Sequence, residues 1–226
     1  MNRPQGKRSS VRALKIALIC TPLVLIVLGA FGCSAAFTRY DYDHMFDRKG
    51  WNRPEEVIAA LNVQPGDSVV DLGAGDGYFS YYLADAVGES GHVYAVDTNE
   101  KAMKRLQAEA EERGYDNITA IVAEKHDPRL PEDEIDLVHL CNSYHHLTER
   151  TRYFRNLASH LRPDAQVAIL DTRKGTPFFI IPHGIYPDQI RQEMEAAGYR
   201  YTASHDFLPF NSFEVYRWSS ATTASE

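Results

Sequence analysis

Past residue 54 the chain alternates short apolar runs with stretches whose apolar residues recur at three- and four-residue spacing, a pattern of strands separated by helices. Val57, Ile58 and Leu61 give one apolar face to a helix with Pro54 in its first turn, and Asn52 with Glu55 stands in a capping-box arrangement. Ser68-Val69-Val70 follows the turn signal Pro65-Gly66-Asp67 and reads as a strand, and Tyr78 to Val87 reads as the next helix, with Phe79, Leu83 and Ala86 at helical spacing. A second strand, His92 to Asp97, follows the turn Gly88-Glu89-Ser90-Gly91. The helix Asn99 to Arg113 then carries Ala102, Met103, Leu106 and Ala110 on one side and ends at Gly114. Further strands are expected at Ile118 to Ala123, Ile135 to Cys141 and Ala165 to Asp171, the last two separated by a helix from Glu149 to Leu161 that stops before Pro163. The tail breaks the alternation: a helix, Pro187 to Ala197, precedes strands at Tyr199 to His205 and Ser212 to Trp218, whose short connection permits only an antiparallel pair.

Strands alternating with helices imply parallel pairing through right-handed crossovers, so the expected fold is α/β, a doubly wound and mostly parallel open sheet with one antiparallel strand near the C-terminal end. In such sheets ligands bind beyond the carboxyl ends of the strands, which makes the residues just after each strand the candidates for chemistry.

Charge divides the chain. Residues 1–15 hold five basic and no acidic residues, and from Ile16 to Phe37 there are 22 consecutive residues without a charge, long enough to span a bilayer. The expected organisation is therefore a basic segment (1–15), a hydrophobic anchor or signal segment (16–37), an aromatic linker or lid (38–54), a globular domain (55–218) and a small polar tail read as mobile (219–226). A retained anchor is favoured over a cleaved signal, with Ser34-Ala35-Ala36 as the competing cleavage site and lipidation at Cys33 as a third option. The layout leans toward an exported, periplasmic domain, with the cytoplasmic face as the alternative. Beyond the leader, 19 basic residues stand against 31 acidic ones, which disfavours a nucleic-acid partner. The cysteines are Cys20, Cys33 and Cys141, so the globular part has no disulfide framework.

The most informative stretch is Asp71-Leu72-Gly73-Ala74-Gly75-Asp76-Gly77, between the first strand and its helix. Glycines at alternate positions let the backbone approach a ligand with no Cβ in the way, and the N–H groups of the new helix favour a carboxylate or phosphate. The dinucleotide fingerprint needs its third glycine three residues after the second, where this chain has Tyr78. The pattern D-x-G-x-G-x-G with an acid, Asp97, closing the next strand resembles the first motif of class I S-adenosylmethionine-dependent methyltransferases, and the resemblance runs over roughly Glu55 to Trp218. It implies a seven-stranded Rossmann-like fold and S-adenosyl-L-methionine as cofactor. Asp97 would then accept hydrogen bonds from the ribose, with Thr98 beside it, and Asp71 would meet the charged methionine end. An acid after the third strand would bond the adenine amine. Glu124 is selected by counting from the strand and Asp127 by counting back from Leu130-Pro131.

After the fourth strand, Cys141-Asn142-Ser143-Tyr144-His145-His146-Leu147 resembles the corresponding motif of small-molecule methyltransferases related to ubiquinone-biosynthesis enzymes. The resemblance places Cys141 and Asn142 beside the methionine part of the cofactor and turns Tyr144, His145 and His146 toward the acceptor. There a histidine can act as general base, with Tyr144 as an orienting donor. The apolar stretch Phe178 to Ile181, with Tyr42, Phe46 and Trp51, would enclose a small, lipid-like or membrane-associated acceptor. No metal site is expected, because the histidines lack helical ligand spacing and Cys141 stands alone. Two other functions stay open: a non-catalytic cofactor-binding module tethered to the envelope, and a nicotinamide-dependent oxidoreductase.

Overall fold

The computed structural model describes residues 48–131, 135–174 and 184–218. The leader at 16–37, Tyr42, Phe46, the stretch Phe178 to Ile181 and the tail from residue 219 lie outside them. Among the described residues no helix is long and apolar enough to cross a membrane. The chain divides into residues 1–50 and 51–226, and a five-residue helix, α1 (Arg48–Asn52), spans that division.

The larger unit follows in order as α2 (Pro54–Leu61), β1 (Ser68–Leu72), α3 (Tyr78–Val87), β2 (His92–Asp97), α4 (Glu100–Arg113), β3 (Ile118–Val122) and β4 (Ile135–Cys141). A 3-10 turn (Tyr144–His146) leads into α5 (Arg150–Leu157), then β5 (Leu161–Thr172), α6 (Pro187–Ala196), β6 (Tyr199–His205) and β7 (Asn211–Trp218). The seven strands form one sheet in the order β3-β2-β1-β4-β5-β7-β6. All neighbours are parallel except β7, which runs antiparallel to both β5 and β6, as the short connection requires. From β1 the chain steps outward to β2 and β3 and then returns to the other side of β1 at β4. The carboxyl ends of β1 and β4 therefore border the crevice where such sheets bind ligands.

Alternate residues of the strands feed two cores. Val69, Val93, Leu137 and Leu170 pack with Phe79, Leu83 and Leu106 on one face, while Val70, Val138, Val167 and Ile169 pack with Phe154, Leu157 and Met194 on the other. Polar residues fix the register as well. Asp71 lies opposite His139 in the β1–β4 pairing, and a one-residue slip would turn its carboxylate away from His139 into the opposite apolar layer.

Helix ends show where local signals act. Asn99 caps α4, its Oδ1 accepting the Ala102 N–H at 3.2 Å, and Gly114 closes the helix at φ 78°. The capping box expected at Asn52 does not form. Asn52 is the last residue of α1, and α2 starts from Arg53 in the left-handed region with Pro54 behind it and no side-chain cap. The helix expected to reach Leu161 stops at Leu157 and tightens into a 3-10 turn over Ala158–His160, and no further turn follows, because Pro163 disfavours helical backbone at Arg162. Leu161 instead pairs with Ile135 and starts β5.

Candidate active site

The glycine loop is held against β2 by its own backbone. Gly73 and Ala74 both donate to the Val96 carbonyl, at 2.7 and 3.0 Å. Gly73 sits at φ 85°, where a Cβ would come within 2.3 Å of Ser143 Cβ, so only glycine allows the post-β4 segment to close on the loop. Gly75, at φ 58°, faces open space, with nothing within 4 Å of an added Cβ. Gly77 is the N-cap of α3.

The acids on either side of this loop have different tasks. Asp97 stands at its rim: Oδ2 accepts the Gly75 N–H at 3.0 Å and Oδ1 the Asn99 N–H at 2.9 Å. Each oxygen keeps a further lone pair for a ligand hydroxyl. Asp71 is buried, with Ser80 Oγ donating to Oδ2 at 2.7 Å and His139 Nδ1 meeting Oδ1 at 2.9 Å. Its carboxylate ties β1 to α3 and β4 beneath the loop and is not brought to the ligand crevice. The loop amides also depart from the anion-binding expectation. Those of Gly73, Ala74, Gly75, Gly77 and Tyr78 donate to Val96, Val96, Asp97, Ala74 and Asp76 respectively.

A cavity of about 570 Å³ opens at the switch point, lined by Gly73, Asp97, Thr98, Glu124, Asn142 and His146 among others. This is the size of a small-molecule site. The two candidates after β3 separate here. Glu124 lines the cavity and pairs with Arg129, whereas the Asp127 carboxylate accepts the Arg129 backbone N–H at 2.7 Å and does not line it. Asn142 sits at φ 54°, its N–H on the Leu170 carbonyl at 2.8 Å. Its Oδ1 accepts from Thr172 Oγ1 and Asn211 Nδ2, both at 3.0 Å, and its Nδ2 donates one N–H to Cys141 Sγ at 3.7 Å, which leaves the second N–H to serve a ligand.

The residues expected to face the acceptor diverge. Tyr144 is fully buried and its hydroxyl donates to Glu193 Oε2 at 2.8 Å, under the Arg150 guanidinium. Burial and the neighbouring Glu193 carboxylate raise its pKa far above the ordinary phenol value. Tyr144 is thus a core residue joining the 3-10 turn to α6, and the expected orienting donor is corrected accordingly. His146 lines the cavity. His145, its ring 3.9 Å from that of His146, is turned onto Asp171: Nδ1 meets Oδ1 at 2.7 Å and the backbone N–H meets Oδ2 at 3.0 Å.

Asp171, Ser143 and Asn211 were not singled out by the sequence. Asp171 carries a readable signal, since it directly follows the apolar run Val167 to Leu170 at a parallel strand's carboxyl end. Ser143, which lines the cavity and donates to the Leu72 carbonyl at 2.7 Å, lies inside the recognised post-β4 motif. Asn211 arrives from the antiparallel strand, and no local pattern announces it. Among the described residues no group of histidines, cysteines and acids is arranged to hold a metal ion. Trp51 packs edge-on against Phe210 at 5.8 Å.

A family model described as a methyltransferase domain matches residues 69–164. The chain is 25% identical over 153 residues, 65% of its length and 63% of the relative's, to a ubiquinone/menaquinone biosynthesis C-methyltransferase of Cupriavidus pinatubonensis. It is 30% identical over 82 residues, 35% and 39% of the two lengths, to a protein-L-isoaspartate O-methyltransferase of Ignicoccus hospitalis. It therefore spans less than two thirds of either relative. In fold it is similar to a SAM-dependent methyltransferase from Aquifex aeolicus, with a TM-score of 0.68 and 23% identity over 80% of this chain and 98% of that one.

Proposed function

We propose that this chain, whose residues 69–164 match a methyltransferase-domain model, is an S-adenosylmethionine-dependent methyltransferase that uses the cavity between β1 and β4 to present that cofactor to a small, hydrophobic or membrane-associated acceptor. The observation that supports this most is the state of the glycine loop. With the loop amides of Gly73, Ala74, Gly75, Gly77 and Tyr78 committed to acceptors within the protein, the loop is poorly suited to a pyrophosphate, while the Asp97 and Glu124 carboxylates lining the cavity suit a nucleoside with a cationic sulfur. This argues against a nicotinamide dinucleotide.

In this reading the Asp97 lone pairs take the ribose hydroxyls, with Thr98 beside them, and Glu124 takes the adenine amine. The Asn142 amide N–H₂ points a donor at the methionine carboxylate. The bound cofactor supplies an electrophilic methyl on a sulfonium whose charge disappears on transfer. The protein's part is then alignment, on the order of 7–11 kcal/mol in favourable systems, and a histidine of the 145–146 pair as proton acceptor. Residues 16–37 tether the domain to the membrane on its exported side, which brings lipid-like acceptors within reach.

Incubating the purified full chain with methyl-labelled cofactor and envelope extract tests the activity. Label moving into an extractable small molecule, and failing to move with Asp97→Ala, supports the enzyme. Cofactor binding without transfer would make the chain a binding module. A reporter fused after Glu226 reads the membrane side.

A further inference from the structure

We propose that Asp171 is the positioning residue that makes His145, rather than His146, the proton acceptor of this site, and that the methyl acceptor is a hydroxyl or carbon acid that must lose a proton. The inference rests on the methyltransferase reading and deepens it. Asp171 is wholly buried at the end of β5, and a buried carboxylate is tolerated only where hydrogen-bond donors meet it. Both of its oxygens are met by N–H groups of His145, at 2.7 Å from the ring and 3.0 Å from the backbone. The two contacts fix the residue at main chain and side chain together. An ionised carboxylate only accepts, so it selects a proton on Nδ1, and in the neutral ring the lone pair is then on Nε2. The His145 side chain is 16% exposed while its partner stays dry, and its ring stands 3.9 Å from that of His146 at the edge of the cavity.

His146 is placed differently: it lines the cavity assigned to the cofactor. The pair thus divides its work, one ring against the cofactor and the other held by a buried acid. As the acceptor's O–H or C–H gives its proton to His145 Nε2, the freed electron pair bonds the methyl carbon and the C–S pair returns to sulfur. The positive charge lost from sulfur reappears on the imidazolium beside Asp171, where the low-dielectric surroundings strengthen their attraction. A carboxylate or other acceptor already ionised near neutral pH would have no use for this dyad.

Nitrogen NMR on the full chain in detergent, labelled at histidine and assigned with His145→Gln, tests the positioning role without any acceptor. We expect a pyrrole-type Nδ1 and a pyridine-type Nε2 at His145 in the wild type, and loss of that pattern in Asp171→Asn. A wild-type Nε2–H tautomer would overturn the proposal even if the variant fails to fold. In the envelope-extract assay His145→Gln should lower kcat about 10²–10⁴-fold with cofactor affinity unchanged, whereas His146→Gln should act mainly on cofactor affinity. The transferred label should survive mild alkali, as a methyl ether or C-methyl group does, and a base-labile methyl ester would overturn the acceptor class. Absence of cofactor binding in the wild type would defeat the underlying methyltransferase reading. Normal binding and transfer with an unaffected His145→Gln would defeat the dyad alone.

Discussion

Substituting alanine at the loop glycines one at a time separates backbone strain from collision. At Gly73, φ is 85° and the new Cβ would lie 2.3 Å from Ser143 Cβ, so one of the two segments must shift by about 1 Å to restore ordinary contact. Left-handed backbone at alanine costs about 1–2 kcal/mol and overpacking about 1–3 kcal/mol, so Gly73→Ala should destabilise by about 2–5 kcal/mol. At Gly75 the φ of 58° carries the same strain, but nothing stands within 4 Å, and Gly75→Ala should cost only about 1–2 kcal/mol. Urea unfolding of the two variants measures the difference. Ser143→Gly then completes a double-mutant cycle with Gly73→Ala, and removing the colliding Cβ should recover the overpacking part, a coupling of about 1–3 kcal/mol. Gly75→Val, which fills the open space, should fold and yet lose S-adenosylmethionine binding. Equal destabilisation at 73 and 75, or a cycle with no coupling, would refute the packing argument.

Other substitutions probe the rest of the site. Glu124→Gln should weaken cofactor binding by about tenfold, the equivalent of one charged hydrogen bond, while Asp127→Asn should leave it within error by calorimetry. Tyr144→Phe should cost about 1.5–3 kcal/mol of stability for its bond to the Glu193 carboxylate and leave the transfer rate unchanged. Burial pushes the Glu193 carboxyl up, but hydrogen bonds from Arg150, Gln189 and Tyr144 outweigh it and hold the group below its ordinary 4.5. A carboxyl depressed in the folded state adds stability above its unfolded value and loses it as pH falls through the folded one. Glu193→Gln should therefore cost about 2 kcal/mol at neutral pH, and chemical denaturation should show that gap closing below about pH 4.5.

The sheet and the glycine loop were legible because their signals are local. Asn99 and Gly114 mark both ends of α4 by side-chain capping and left-handed backbone, and Gly73 to Gly77 sit between a β-branched strand and an aromatic helix. Asn52 misled because a capping pattern competes with Pro54, whose preferred first-turn position set the helix start at Arg53. Asp71 was readable as an acid beside the loop, but its commitment to Ser80 and His139 depends on strand pairing 68 residues away. Asn211 orients Asn142 from a strand that enters the sheet antiparallel, a contact across 69 residues that no spacing rule anticipates. The post-β4 motif announced two histidines. Their division, one to the cavity and one to Asp171, follows from the turn that carries them.

Isothermal calorimetry of S-adenosylmethionine against the full chain and its Asp97→Ala variant goes to the centre of the account. Asp97 accepts from the Gly75 and Asn99 N–H groups, and the proposed role of its remaining lone pairs is to accept from the ribose. We expect one saturable site in the wild type and affinity about 10- to 100-fold weaker in the variant, the range of one to two charged hydrogen bonds. A wild-type chain that gives no heat with this nucleoside, or that takes up a nicotinamide dinucleotide instead, would contradict the reading of the crevice between β1 and β4.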